Sequence, residues 1–191
     1  MSEDRNSMLN QEQEKGKKGT IMLVSGSLDH ALLAFELAVG MQAMGTQIDM
    51  WFILQGVNCL KKPRSYFSLS RWLPTRKLSG KAGRNLQTDS GWQKVLQALN
   101  HDGASNLPLS QLNLLGAGPF VLSRIMKKKG MASLSELIQA AEEMGVKFKV
   151  CQICVDALAC NMESDLVVAA EVSGVSRYAL DVQDCHYNAV I

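Results

Sequence analysis

The chain has 191 residues, 47% hydrophobic and 20% charged, with a formal net charge of +2. That is enough apolar material for one packed domain, and the charge is too mild to imply a nucleic-acid partner. Five cysteines, an odd number, fit a reducing compartment, where thiols serve chemistry, metals or packing, better than they fit a disulfide scaffold.

The opening "MSEDRNSMLNQEQEKGKKG" (1–19) is polar, lacks the apolar core of a signal peptide and reads as a disordered leader. No apolar run approaches the ~18–20 residues that cross a bilayer. A cytoplasmic location is therefore expected, with the folded domain over 20–191. "TIMLVSG" (20–26) is a short apolar run closed by Ser-Gly, the pattern of a buried parallel strand. "SLDHALLAFELAVGMQAMG" carries apolar residues at helical spacing. Ser27 or Asp29 can cap it, His30 reads as a proton donor on the sheet edge or, more simply, as solvated, and Gly45 suits the residue just past the helix end. "TQIDMWFILQG" (46–56) is a second strand, which completes a β-α-β unit and implies a parallel sheet.

Residues 61–106 break the pattern and read as an irregular basic insertion. "KKPRSYFSLSRWLPTRKLSGKAGR" (61–84) is rich in Lys and Arg, lacks Asp and Glu, and includes Tyr66, Phe67 and Trp72. Two readings stand: a contact with a membrane surface or an acidic partner, or a solvated loop. "GWQKVLQAL" (91–99) reads as a short helix.

Regular structure returns with a helix over "GAGPFVLSRIMKKKG" (116–130), with Pro119 placed to open it and Lys127, Lys128 and Lys129 in its last turn. "SLSELIQAAEEMG" (133–145) is a second helix. Ser133 and Glu136 form a capping box, and Leu134, Leu137, Ile138, Ala141 and Met144 share one face. "VKFKV" (146–150) alternates as a strand. "AAEVSG" (169–174) and "YNAVI" (187–191) are further strand candidates, with a helix at 175–183 between them. About five strands and as many helices make an α/β fold, a three-layer α/β/α sandwich on a mainly parallel sheet.

"KFKVCQICVDALAC" (147–160) holds three of the five cysteines. Cys151 falls after a strand, at the sheet edge where open parallel sheets gather ligands and chemistry. A helix starting near Ile153 would place Cys151 and Cys154 at its N-terminus, where thiol pKa falls, with Cys160 one and a half turns on or in the loop beyond. Each cysteine has a plainer alternative as a buried core thiol. Gly116, Ala117 and Gly118 precede or open a helix, and their N–H groups could cradle an anion. Metal binding is not expected: there is one C-x-x-C pair, and His30, His101 and His186 are isolated. The pair also lacks the Trp and Pro neighbours of a thioredoxin motif. Cys59 and Cys185 read as structural.

The chain resembles the DsrE/DsrF-like family, in the branch labelled peroxiredoxin-like. The resemblance is carried by "VSGSLDHALLAFELAVGMQAMG", "WFILQGVNCLKK", "AAEVSGVSRYAL" and above all the run from Leu107 to Leu158. No peroxiredoxin-type Pro-x-x-x-Thr-x-x-Cys motif is present. The resemblance implies a five-stranded α/β/α domain, a homo-oligomer, no cofactor, and a cysteine that carries sulfur between donor and acceptor proteins. That cysteine corresponds to Cys151, followed by Asp156. This chain has Cys154 where many relatives have a small or apolar residue. The expected function is a sulfur carrier or sulfurtransferase-like protein holding persulfide or thiosulfonate on Cys151, with Cys154 and Cys160 as resolving or relay thiols. The alternatives are an oligomeric scaffold for a redox or sulfurtransferase partner and a dithiol–disulfide redox protein.

Overall fold

A computed structural model of the chain describes residues 16–63, 102–111, 117–157 and 160–191. The expected helix at 91–99, most of the basic insertion and Gly116 lie outside the described residues. In chain order the elements are β1 (Lys18–Leu23), α1 (Leu28–Ala43), β2 (Gln47–Phe52), a 3-10 helix (Leu54–Leu60), α2 (Ala117–Lys128), α3 (Leu134–Glu143), β3 (Lys147–Cys151), α4 (Gln152–Ala157), β4 (Glu171–Ser173), α5 (Val175–Gln183) and β5 (Tyr187–Val190).

The strands form one sheet in the order β4-β3-β2-β1-β5, and every neighbouring pair is parallel. With helices on both faces, this is the three-layer α/β/α sandwich. Parallel pairing places all five carboxyl ends along one edge, where Leu23, Phe52, Cys151, Ser173 and Val190 lie.

The two faces of the sheet differ. Side chains alternate along a strand, so Ile48, Met50 and Phe52 share a face with Phe148 and Val150. That face is apolar. Phe35 of α1 sits 5.9 Å from Phe52 and 6.1 Å from Phe148, ring centre to ring centre, and is fully buried. α1 reaches this face because Leu28, Ala31, Leu32, Phe35 and Ala38 recur at helical spacing. Truncating Phe35 to Ala would cost about 3–5 kcal/mol. α3 packs beside α1 through Leu134, Leu137, Ile138 and Ala141, and the capping box of Ser133 and Glu136 starts it as the sequence indicates.

The opposite face carries Thr20, Asp49, Trp51 and Lys149 under α5. Lys149 Nζ lies 2.6 Å from both Asp49 and Asp181 and 5.4 Å from the centre of the Trp51 ring. Burial opposes the Lys149 charge, but the two carboxylates outweigh it and raise its pKa. Tyr178 of α5 meets Trp51 edge to face and donates to Asn188.

Two local expectations are corrected. The second strand does not run on to residue 56: β2 ends at Phe52 and the 3-10 helix takes over at Leu54. Nor does Asp29 cap α1. Ser27 holds the cap position without a side-chain cap bond, and Asp29 is turned to Ser110, accepting from its N–H and hydroxyl. Gly45 lies just past α1 at φ +83°, a left-handed conformation that suits glycine.

Candidate functional site

The site is built where β3 ends. Cys151 is the last residue of the strand, level with Ser173 of β4, and α4 begins at once with Gln152. The chain thus enters the helix earlier than the spacing suggests. Cys151 is a strand residue, and Cys154 lies in the first turn of α4. Cys151 belongs to the same buried cluster as Phe35, Phe52 and Phe148. Cys160 follows α4, and its N–H donates to the Val155 carbonyl across 3.1 Å. All three cysteines are buried, at 2% exposure each, and none is in a disulfide.

The structure brings two of them near each other: Cys151 closes β3, Cys154 lies in the first turn of α4, and Cys151 acts on the Cys154 thiol electrostatically. Cys154 has a second partner. The main-chain N–H of Leu54 donates to its sulfur, with nitrogen and sulfur 3.0 Å apart. Burial raises the Cys154 thiol pKa, Leu54 N–H pulls it down, and Cys151 pushes it up again. The net shift is upward. The expected lowering by a helix N-terminus therefore does not hold at Cys154, because α4 is only six residues long and burial dominates.

Leu54 is unusual in itself. Its φ is +51°, and it is the sole non-glycine residue with positive φ among those described. A branched side chain there is strained, and Leu54 does not bury its side chain in exchange, being 56% exposed. The turn is held from the other side. Ile53 N–H donates to the Leu23 carbonyl and Gly56 N–H to Val24, and a Cβ on Gly56 would lie 2.1 Å from the Leu23 oxygen. Only glycine permits that approach. Leu54, which donates its N–H to Cys154, and Ile153, which precedes Cys154 in the chain, are both exposed apolar residues.

Other expected residues fall as follows. Asp156 is exposed and accepts from Gln152 one turn earlier. Ala117 is exposed at the start of α2 and Gly118 is buried, while Gly116 lies outside the described residues. Cys59 is buried and donates to the Gly56 carbonyl across 3.0 Å. Cys185 is half-buried, with its thiol 3.2 Å from the Val182 carbonyl. Among the described residues no three His, Cys, Asp or Glu side chains group as a metal site, and no helix is long and apolar enough to cross a membrane.

Sequence reasoning passed over Leu54 at the sheet edge. It placed His30 on that edge but not its partners: His30 Nδ1 lies 2.5 Å from Ser27 Oγ and 3.2 Å from Ser25 Oγ. His30 is thus hydrogen-bonded as well as partly solvated. Its spacing from Ser27, one helical turn, was the available signal.

The chain belongs to the DsrE/DsrF/DrsH-like family, whose model matches residues 15–190. YrkE of Bacillus subtilis, described as uncharacterized, is 28% identical over 93% of this chain and 99% of its own length. The sulfur carrier protein DsrE2 of Allochromatium vinosum is 26% identical over 85% of this chain and 90% of its own length. Among solved structures, the ychN protein of E. coli is similar at 10% identity with a TM-score of 0.48, covering 92% of this chain and 99% of its own.

Proposed function

We propose that this member of the DsrE/DsrF/DrsH-like family is a sulfur carrier that loads Cys151 and yields the sulfur to an acceptor thiol. The observation that carries the reading is the placement of two neighbouring thiols, Cys151 and Cys154, at the carboxyl edge of an all-parallel sheet. The likeness to a sulfur carrier protein supports it. In the loading step the Cys151 thiolate attacks the sulfane sulfur of a donor such as thiosulfate. The donor S–S bond breaks, sulfite leaves with the electron pair, and Cys151 holds a persulfide. With tetrathionate the same attack expels thiosulfate and leaves a thiosulfonate on Cys151. An acceptor thiolate then attacks the outer sulfur, and Cys151 departs as thiolate.

The burial of the sulfurs suits slim, linear sulfur species. Cys160 serves as a relay thiol, and the N–H groups at 116–118 as contacts for the bound anion. Donor and acceptor proteins, self-association and a reducing cytoplasm belong to the same reading.

The test is intact mass after incubation with thiosulfate or tetrathionate. The wild-type chain gains sulfur, and Cys151→Ser gains none. A gain that survives Cys151→Ser overturns the assignment. A second reading, a dithiol–disulfide redox protein, is favoured by the nearness of Cys151, at the end of β3, to Cys154, in the first turn of α4. It predicts a reversible disulfide under mild oxidants and no sulfur uptake from either donor.

A further inference from the structure

We infer that the main-chain N–H of Leu54 is a catalytic group for discharging the loaded cysteine, acting on the sulfur of Cys154. The inference rests on the carrier reading and adds to it a second route of unloading, taken when no acceptor thiol attacks the outer sulfur. Cys151 ends β3 and Cys154 lies in the first turn of the helix that follows at once, so when Cys151 carries a persulfide the thiol three residues on is the near one to attack it. The Cys154 sulfur attacks Cys151 Sγ, the bond from Cys151 to the outer sulfur breaks, and the outer sulfur leaves with the electron pair. The Cys154 proton goes to that sulfur, which departs as hydrosulfide. A disulfide between Cys151 and Cys154 remains. An external dithiol reductant reopens it, giving up two electrons and two protons and becoming a disulfide itself.

The difficulty in this step lies at Cys154. Its thiol is buried, and losing the proton creates charge where solvent cannot reach. Leu54 N–H, 3.0 Å from that sulfur, meets the charge as it develops. A fixed donor in a dry site is the arrangement that stabilises developing anions most effectively. Three observations separate this from incidental packing. The donor comes from a residue at φ +51°, a conformation a leucine adopts only when its surroundings impose it. The leucine side chain is more than half exposed, so burial of the side chain does not explain the turn. The close approach of Gly56 to the Leu23 carbonyl locks the turn in place. The sequence has built a strained turn whose one directed product is an N–H aimed at a thiol.

The experiment uses the full chain, loaded on Cys151 with thiosulfate, cleared of donor, and followed without added thiol. Hydrosulfide release and the loss of two hydrogens by intact mass report the discharge. The wild-type chain is expected to release its sulfur and close the disulfide, and Cys154→Ser to keep its persulfide. Replacing Leu54 by its α-hydroxy analogue exchanges the N–H for oxygen and leaves the side chain intact. Release should slow by about ten-fold or more, the worth of a hydrogen bond to a charged group. In a Cys151→Ser background the same replacement should move alkylation of Cys154 to higher pH, which lost packing would not do. Leu54→Gly keeps the N–H and should lose far less than the hydroxy analogue. A loaded wild-type chain that keeps its persulfide, or a hydroxy analogue that discharges as fast as wild type, overturns the inference while leaving the carrier reading intact. A chain that never gains sulfur overturns both.

Discussion

The segment Leu54–Leu60 serves two buried cysteines. To Cys154, from another part of the chain, it offers a donor: Leu54 N–H, 3.0 Å from the sulfur. To Cys59, one of its own residues, it offers an acceptor: the Gly56 carbonyl, 3.0 Å away. Both thiols are almost inaccessible, so burial alone does not tell them apart. At Cys59 burial pushes the thiol far up, and the N–H groups of Cys59 and Leu60 do not offset it. The proton is also committed to a carbonyl. At Cys154 the neighbours are another thiol and an N–H, and the sulfur lies beside exposed apolar residues. The lesson is that the direction of a cysteine's hydrogen bonds, and what lies beside it, separates a reactive thiol from a packed one where exposure does not.

The largest expected contrast is all or none. Cys59→Ser keeps a small group able to donate to Gly56, and should load sulfur to the same extent as wild type. Cys151→Ser should load none. Intact mass after thiosulfate treatment reads both. Loss of loading in Cys59→Ser, with the unfolding midpoint unchanged, would erase the contrast.

Next comes a substitution that strikes both cysteines together. Gly56→Ala places a methyl group 2.1 Å from the Leu23 oxygen, a main-chain atom that cannot turn aside. The 3-10 helix must move, and Leu54 N–H and the Gly56 carbonyl move with it. A destabilisation of about 3 kcal/mol is expected, at the upper end of overpacking, read from the urea midpoint. Discharge of a loaded chain should slow in parallel. A full-strength Gly56→Ala would mean that this segment is not locked as described.

The comparison also marks what the sequence made legible. The capping box of Ser133 and Glu136, the helix over Val175–Gln183 and the strand leading into Cys151 rest on local spacing, and local spacing predicts them. The turn at Leu54 does not. "TQIDMWFILQG" reads as continuous apolar strand, and leucine is among the last residues expected at positive φ. What ends the strand is Gly56 meeting Leu23, a contact across 33 positions of sequence that no periodicity reveals. Lys149 is similar. In "VKFKV" it marks the polar side of a strand, yet it is buried between Asp49 and Asp181, partners that only the assembled sheet and α5 supply. The pairing of Cys151 with Cys154 lay between these cases. C-x-x-C spacing suggested proximity, while the N–H on Cys154 and the burial of both sulfurs are products of tertiary packing.

The smallest effect is the most direct measure of the difference between the two thiols. Below the ordinary thiol pKa of about 8.5, Cys59 holds its proton in both the folded and the unfolded chain, and its contribution to stability is complete. Above that pH the unfolded chain ionises Cys59 and the folded chain does not, because burial has raised its pKa. The folded state then binds more protons, so stability falls as pH rises, by at most about 1.4 kcal/mol per pH unit for one group. The loss continues until the folded pKa is reached. Cys154, also raised by burial, bends the curve the same way by less. Urea unfolding at pH 8 and pH 10 should therefore show a fall that Cys59→Ser removes in larger part and Cys154→Ser in smaller part. If wild type and Cys59→Ser lose stability in parallel over that range, Cys59 is not held as a thiol by its surroundings. The line drawn between the two cysteines would then rest on Leu54 N–H alone.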